Sequence, residues 1–329
     1  MTRDYEEYLK DDNLHINWYP GHMKKTKEMV QNNLKLVDVV IELLDARIPL
    51  SSKNPEIDKL AHNKPRVVVL NKSDLSDRAK LNKWISYYQS KGIKAIPVDT
   101  LKGSGVNKIV EECKNVTKEK MDALKEKGRK ERAIRVMIVG VPNVGKSSLI
   151  NKLTGRKSTQ TGDRPGVTKG KQWVRLKGNL ELLDTPGILW PKFEDQKIAL
   201  NLAFTGAIKD EIMDIEELAY KLVERLQEYY PQRLIERFGI TEIHENPLDN
   251  LDAIARKRGC IMARNEINYN RIAVMLIDEF RGGKLGNISL ERPDDVFEEV
   301  EVEKKEETEK ERKRRIRKEK RNEKKKERR

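Results

Sequence analysis

The sequence has 329 residues, which allows about two domains at roughly 150 residues each. Hydrophobic and charged residues each make up 37% of the chain, so part of it is predicted to lie outside a packed core. The net charge of +14 favours a polyanionic partner, nucleic acid first, over a generally charged surface.

The amino terminus and the cysteines exclude several classes of protein. Met1–Lys10 is polar and acidic, and no apolar run approaches the roughly 18 residues of a membrane span. Cys113 and Cys260 stand in no metal-like spacing, which argues for a reducing cytosol and against structural zinc. We therefore expect a cytoplasmic protein without a membrane partner.

Up to about Pro191, short β-rich runs alternate with longer polar–apolar stretches. This alternation predicts an α/β fold with a largely parallel sheet covered on both faces. The predicted strands are Val37–Leu44, Arg66–Leu70, Ile93–Val98, Ile134–Val139, Trp173–Leu176 and Leu180–Leu183. The predicted helices between them include Asp77–Lys91, Val106–Lys127 and Lys146–Leu153.

The second strand is followed by Asn71-Lys72-Ser73-Asp74, an N-K-x-D sequence of the kind by which GTPases recognise guanine. In that role Asp74 accepts hydrogen bonds from the guanine N1–H and exocyclic amine, donors that adenine does not present in this arrangement. Asn71 faces the other edge of the base, and Lys72 packs its stem over the ring. The motif predicts GTP rather than ATP as ligand.

The third strand is followed by Asp99-Thr100. In ordinary GTPases a Ser-Ala turn supports the base at this place. Asp99 and Thr100 are therefore predicted to lie at the base pocket, with a contact that differs in detail.

The fourth strand leads into a G-x-x-x-x-G-K-S sequence, the pattern of a phosphate-binding loop. Gly140 and Gly145 let the backbone turn tightly, so that N–H groups point at phosphate oxygens. Lys146 supplies positive charge to the β- and γ-phosphates, and Ser147 supplies a hydroxyl to magnesium. The predicted nucleotide contacts in this loop are Asn143, Val144, Gly145, Lys146, Ser147 and Ser148.

Two downstream segments complete the predicted metal site. Thr168 is the predicted switch threonine, which senses the γ-phosphate and Mg²⁺. Asp184-Thr185-Pro186-Gly187 follows the last strand, so that Asp184 holds Mg²⁺ through water and the Gly187 amide touches the γ-phosphate. Alone this sequence would be an ordinary turn, but the phosphate loop upstream favours the metal role.

After about Pro191 the pattern becomes helical, which predicts a separate small helical domain. Its predicted helices are Ile198–Ala207, Ile215–Tyr230, Pro231–Phe238, Leu248–Lys257 and Tyr269–Phe280, with Gly239 and Gly259 as stops.

The end of the chain is a charge block. Residues 291–309 are mostly acidic, whereas residues 310–329 contain 14 Lys or Arg and 4 Glu, a net charge of +10. Such a segment buries too little apolar area to order in isolation. It is interpreted as an arm for RNA phosphates, the alternative being a frayed helix supported by Glu–Lys pairs.

In an ordinary GTPase the guanine motif follows the phosphate loop, whereas here it precedes it. This order and four motifs resemble the ribosome biogenesis GTPase A (YlqF-type) family of circularly permuted GTPases. The motifs are Trp18–Met23, Asp45–Pro49, Pro142–Ser147 and Asp184–Pro191. The resemblance implies a permuted Ras-like P-loop GTPase domain at 16–193 and a helical RNA-binding domain at 194–290. Residues 1–15 and 291–329 would be an N-terminal extension and a tail added to that core.

The resemblance also implies a function. The protein would act in late assembly of the large (50S) ribosomal subunit, bind ribosomal RNA or the immature subunit as a GTP-bound monomer, and leave after hydrolysis that ribosomal particles stimulate. Asn143 would bind potassium (K⁺), the alternative being that it stabilises the loop turn.

Ile188 stands where many GTPases carry a glutamine that positions the attacking water. An isoleucine side chain has no donor or acceptor, so another group must act. The family motif carries a histidine at His22, which is predicted to orient or deprotonate the water. The alternative is that His22 only anchors Trp18 and Tyr19.

Other functions are weighed against this one. A non-catalytic RNA-binding scaffold, with nucleotide as a structural ligand, is favoured by Ile188. A GTPase that modifies transfer RNA would need a further catalytic group, of which the sequence shows no sign. Asn71–Asp74 disfavours an ATP-using kinase.

Overall fold

A six-stranded sheet lies at the centre of the protein, which a computed structural model describes for residues 23–61, 64–155, 173–183 and 196–294. The strands are β1 (Val39–Asp45), β2 (Arg66–Asn71), β3 (Ala95–Val98), β4 (Ile134–Val139), β5 (Trp173–Leu176) and β6 (Leu180–Leu183). Their order is β3-β2-β1-β4-β6-β5, and all neighbours are parallel except β5 and β6. The carboxyl ends of β1 to β4 therefore meet at one edge.

Helices connect the strands, as a parallel sheet requires. α1 (Met23–Leu34) precedes β1, and the connecting helices are α2 (Pro55–Leu60), α3 (Arg78–Ser90), α4 (Val106–Glu126) and α5 (Lys146–Thr154). Asp77 begins α3 by accepting hydrogen bonds from the backbone N–H groups of Ala79 and Lys80.

The central strands β1, β2 and β4 are buried on both faces, which explains why they read as nearly continuous apolar runs. In β1, Val39, Ile41 and Leu43 belong to a larger core on one face, whereas Val40 belongs to a smaller core on the other. Glu42 interrupts this run and is itself buried.

Among residues 196–294, five helices follow the sheet: α6 (Gln196–Phe204), α7 (Ile215–Tyr229), α8 (Pro231–Phe238), α9 (Pro247–Lys257) and α10 (Tyr269–Arg281). Two short 3-10 helices, Asp210–Ile212 and Ala263–Asn265, lie between them. Asp214 caps α7 through the N–H groups of Glu216 and Glu217. Gly239 ends α8 at φ +68, a left-handed conformation that glycine adopts without a Cβ penalty.

The helices α6–α10 share the larger core with the sheet. That core contains Leu43 and Ile48 of the sheet region together with Leu202, Leu222 and Leu276 of the helices. The described residues through Leu290 belong to one compact unit. The predicted boundaries at 15/16 and 193/194 fall outside the described residues, so they stay predictions.

The element predictions are confirmed. All six predicted strands and each predicted helix are present, with ends shifted by at most three residues. Two helices, α1 and α2, were not predicted. The α/β class and the mostly parallel sheet are as expected.

Candidate functional site

The Asn71–Asp74 loop begins where β2 ends, at the carboxyl edge of the sheet. Ser73 N–H donates to the Val98 carbonyl at 3.1 Å, which ties the loop to the end of β3. Lys72 adopts φ +57, and Asp74 is exposed. The predicted base-reading carboxylate therefore projects where a ligand can reach it.

Asn71 joins this loop to the phosphate loop. Its side chain is fully buried, and its Nδ2 donates to the Val144 carbonyl at 2.7 Å, although the two residues lie 73 positions apart. A Cβ added to Gly145 would come within 2.3 Å of the same Nδ2. Asn71 can approach the backbone this closely only because residue 145 is glycine.

The phosphate loop connects β4 to α5. Gly145 lies at φ +101 immediately before the helix, and no side-chain hydrogen bond caps that helix start. A Cβ on Gly140 would lie 2.6 Å from the Leu43 carbonyl oxygen. Both glycines are therefore required by space, and the amino end of α5 can receive an anion.

Lys146 is the first residue of α5 and turns back over the loop. Its Nζ donates to the Gly140 carbonyl at 2.8 Å and approaches the Val141 carbonyl at 3.4 Å. Ser147 and Ser148 follow it in the first turn, half-buried. The ammonium therefore lies within the loop that is predicted to hold phosphates.

Asn143 is exposed at the tip of the loop, with φ +55. Its Nδ2 donates to the Gly206 carbonyl, beyond the end of α6, at 2.6 Å. The residue predicted to bind potassium thus also links the phosphate loop to the helices that follow the sheet.

Asp99 and Thr100 lie at the end of β3, as predicted. Oδ1 of Asp99 accepts hydrogen bonds from the N–H groups of Leu101 at 2.9 Å and Lys102 at 3.0 Å, so its carboxylate shapes its own loop. Thr100 is buried, and its Oγ1 lies 3.6 Å from the place that a Cβ on Gly145 would occupy. Thr100 is therefore the member of the pair that adjoins the phosphate loop.

A buried charge cluster lies beside the Asn71–Asp74 loop, here named the guanine loop after its predicted role, and no role was predicted for this cluster from the sequence. Arg47 holds Asp45 with both arms of its guanidinium, Nε to Oδ1 at 3.0 Å and Nη2 to Oδ2 at 2.8 Å. Lys72 Nζ lies 2.9 Å from the same Oδ2. Burial alone would raise the pKa of Asp45, but the two cations hold it well below its usual range.

The position of Asp45 at a strand end was the signal that could have identified this cluster. Carboxyl ends of parallel strands converge at one edge, so a charged pair directly after β1 adjoins whatever follows β2. Burial lowers the pKa of Lys72, and the Asp45 carboxylate offsets this only in part.

A second contact to the guanine loop comes from Asn287–Leu290, the bracing segment beyond α10. Asn287 Nδ2 donates to the Asp74 carbonyl at 2.5 Å. The N–H groups of Ile288 and Leu290 donate to the carbonyls of Leu75 and Arg47, each at 2.9 Å. The loops after β1 and β2 are thus both paired with this segment.

Several predicted site residues lie outside the described residues: His22, Thr168, Asp184, Gly187 and Ile188. Of the predicted magnesium ligands, the structure therefore describes only Ser147. Within the described ranges, no three His, Cys, Asp or Glu side chains are grouped so that they could hold a metal ion. Nor does any helix there have the length and apolarity to cross a membrane.

Comparisons with known proteins find similar GTPases. A family model described as 50S ribosome-binding GTPase matches residues 135–246, from β4 and the phosphate loop onward. The chain is 50% identical over 292 residues to ribosome biogenesis GTPase A of Bacillus cereus, which covers 88% of this chain and 99% of that protein.

Two solved structures are also similar to this chain. The crystal structure of GNP-bound YlqF from Thermotoga maritima matches with a TM-score of 0.56 at 29% identity, over 82% of this chain and 98% of that one. The GDP-bound structure of the same protein matches with a TM-score of 0.58 at 27% identity, over 81% and 99% of the two chains.

Proposed function

Because the chain belongs to the ribosome biogenesis GTPase A family, we propose that this GTPase acts late in assembly of the large ribosomal subunit. It binds the immature subunit and its RNA in the GTP state and leaves after hydrolysis. The observation that carries the proposal is the hydrogen bond between Asn71 and the Val144 carbonyl, since it joins a guanine loop to a phosphate loop.

The residues at the carboxyl edge of the sheet each contact a different part of the nucleotide. Asp74 accepts from the guanine N1–H and amine, and the Lys72 stem covers the ring. Lys146 neutralises the β- and γ-phosphates, and the amino end of α5 receives them. Val144, whose carbonyl is held by Asn71, sets the distance between the two loops.

Mg²⁺ fits the part of its site that the structure describes, because the Ser147 hydroxyl lies in the first turn of α5, directly after Lys146. With Thr168 and Asp184 this set offers the oxygen ligands that magnesium prefers. The ion would neutralise charge on the phosphates. Gly187 would contribute an N–H to the γ-phosphate.

Hydrolysis needs a polar group for the attacking water, because Ile188 supplies none. His22 is proposed to orient that water, and Asn143 to bind K⁺ through its side-chain oxygen. The contact from Asn143 Nδ2 to Gly206 leaves that oxygen on the other arm of the amide. Completion of the site by a ribosomal particle would make turnover depend on the subunit.

Charge supports an RNA partner. Besides the +10 of residues 310–329, a cavity of about 490 Å³ beside α4 and the start of β4 carries six cations and two acids. The cations are Lys114, Lys118, Lys125, Arg129, Lys130 and Arg132, and the acids are Asp122 and Glu131. Such surfaces bind phosphate backbones by releasing counterions.

Sedimentation with purified large subunits and immature particles tests the proposal. The full chain should pellet with particles in a non-hydrolysable GTP analogue and stay in the supernatant in GDP. Lys146→Ala, which lacks the phosphate-loop charge, should not respond to nucleotide. Equal pelleting of the unsubstituted chain in GDP, GTP and the analogue would exclude a nucleotide-controlled role on the subunit.

A further inference from the structure

Asp45 joins Lys72, the lysine of the guanine motif, to the buried Arg47, because both cations contact the same carboxylate oxygen. Asp45 and Arg47 are only 2% exposed and form a complete bidentate pair. A pair of this kind is already neutral, so a purely structural role would need no third charge. Lys72 nevertheless places its ammonium on the same carboxylate.

Anchoring its ammonium restricts the whole Lys72 side chain. A lysine stem has four rotatable bonds and loses much rotamer freedom when a ligand orders it. With Nζ held at Asp45 and the backbone at φ +57, the stem is ordered before a base arrives. Pre-ordering of this kind increases affinity because binding no longer has to fix the side chain.

Arg47 in turn links Asp45 and Lys72 to α10. Its Nη1 approaches the Phe280 carbonyl at 3.4 Å and the Arg281 carbonyl at 3.5 Å, at the carboxyl end of that helix. The guanidinium also lies 5.2 Å from the centre of the Phe280 ring. A cation is favourable both at a helix carboxyl end and over an aromatic face.

The backbone of the bracing segment adds a second connection at the same place. Leu290 N–H is bonded to the carbonyl of Arg47 itself, and Asn287 to that of Asp74. The helices after the sheet thus reach the guanine loop both through a side chain and through the main chain.

We propose that Asp45 and Arg47 are positioning residues for guanine-nucleotide binding, which act by holding Lys72 over the base. The end of α10 fixes the position of Arg47, Arg47 fixes the carboxylate of Asp45, and Asp45 fixes Nζ of Lys72. This inference rests on the proposed guanine site. The competing explanation is that Asp45 and Arg47 only attach α10 to the sheet.

A double-mutant cycle on the full chain separates the two explanations. Arg47→Lys keeps the charge but cannot hold a carboxylate with two parallel bonds. It should weaken GDP binding about tenfold in the unsubstituted chain, and less than about twofold where Lys72→Met has already removed the ammonium. Equal weakening in both backgrounds, or none, would overturn the inference. Binding is measured by fluorescence with methylanthraniloyl-GDP and by competition with unlabelled GDP.

Arg237→Lys is the matched control. Arg237 also makes two parallel bonds to an acid on α10, Glu279, at 2.8 and 2.7 Å. Arg237→Lys therefore loses a bidentate contact like that of Arg47, in this case to α10, without touching Asp45. GDP affinity should stay unchanged in this variant, and a loss equal to that of Arg47→Lys would support the merely structural explanation.

Two further measurements keep the test decisive. Should Arg47→Lys fail to fold, Lys72→Met alone serves as the test, because the methionine stem can still cover the ring but cannot be anchored by Asp45. Wild-type GDP affinity in this variant would contradict anchoring by Asp45, and weakened binding would support it. Asp74→Asn, measured alongside, tests the guanine site itself. Unchanged base preference there would reject the proposed site, whereas a shifted preference without coupling in the cycle would reject only this inference.

Discussion

Glu42 is a buried acid without a hydrogen-bonding partner in the described part of the protein. It lies in the middle of β1, its nearest cation is Arg66 at 3.6 Å, and neither carboxylate oxygen accepts a hydrogen bond there. Burial raises its pKa to about 7. The folded protein therefore favours the neutral acid.

We expect Glu42→Gln to change the pH dependence of stability. Because the pKa of Glu42 is raised in the folded protein, its contribution to stability is complete below the ordinary pKa near 4.5. That contribution is lost as the pH rises through about 7. The full loss would be about 3 kcal/mol. Urea unfolding should show the variant more stable than the unsubstituted chain at pH 8 and similar at pH 5. The exposed Glu236→Gln serves as control, and an identical difference at both pH values would contradict the assignment.

Asp74→Asn should shift nucleotide preference from guanine towards xanthine. An amide presents a donor where the exocyclic amine of guanine also donates, whereas the xanthine oxygen there accepts. Each mismatched contact costs about 1–3 kcal/mol. Calorimetric titration with GDP and XDP measures the ratio, and unchanged GDP affinity would remove Asp74 from the base site.

At the scale of elements, the phosphate loop depends on glycine for two separate reasons. Gly145→Ala introduces a left-handed alanine and a Cβ 2.3 Å from Asn71 Nδ2. Gly92→Ala provides a control, because Gly92 has φ +72 but no atom within 4 Å of the added Cβ. Both variants should lose about 1 kcal/mol of stability from backbone strain.

Only Gly145→Ala should also lose nucleotide affinity, about tenfold or more, because it displaces the side chain that joins the two loops. Chemical unfolding and GDP titration of both variants measure this. Equal GDP affinity in the two variants would mean that the Asn71–Val144 contact does not organise the site.

The elements themselves were largely predictable from sequence. Continuous apolar strands such as Ile134–Val139 are easy to recognise, because both faces of a parallel sheet are buried. The helix α2 was missed because it has only six residues, too few for a periodic pattern. Element boundaries followed capping residues such as Asp77 and Gly239.

The candidate nucleotide site was predictable only as far as its motifs are local. Asn71–Asp74 and Gly140–Ser147 each carry their chemistry in consecutive residues. The link from the charge cluster to α10 and the contacts of the bracing segment, by contrast, join residues more than 200 positions apart, such as Arg47 with Phe280 and Asn287 with Asp74. Nothing in the local sequence near Asn287 indicates that it meets Asp74.

For the whole molecule, we expect removal of residues 310–329 to weaken RNA binding and to reduce its salt dependence. The +10 charge of this segment would release counterions on binding phosphates. Basal GTP turnover should remain nearly intact. The measurement is the slope of log affinity against log salt for both chains, and equal slopes would show that the segment does not contact RNA phosphates.

His22→Ala should reduce subunit-stimulated turnover far more than GTP affinity. A general acid–base group contributes roughly 10²–10⁴ in rate. Single-turnover hydrolysis on saturating large subunits separates chemistry from binding. A normal rate constant under those conditions would assign completion of the site to the subunit or to a bound ion.

The hydrogen bond between Asn71 and Val144 also bears on how the protein becomes active during its synthesis. The guanine loop leaves the ribosome first, but its partner loop follows 73 residues later, and the bracing segment comes last of the three. At about 5–20 residues per second, several seconds pass before a nascent chain possesses both loops. With the proposed site and the inferred role of Arg47, guanine-nucleotide binding would require the chain to be made at least through α5, and tight binding would require it to be made through Leu290.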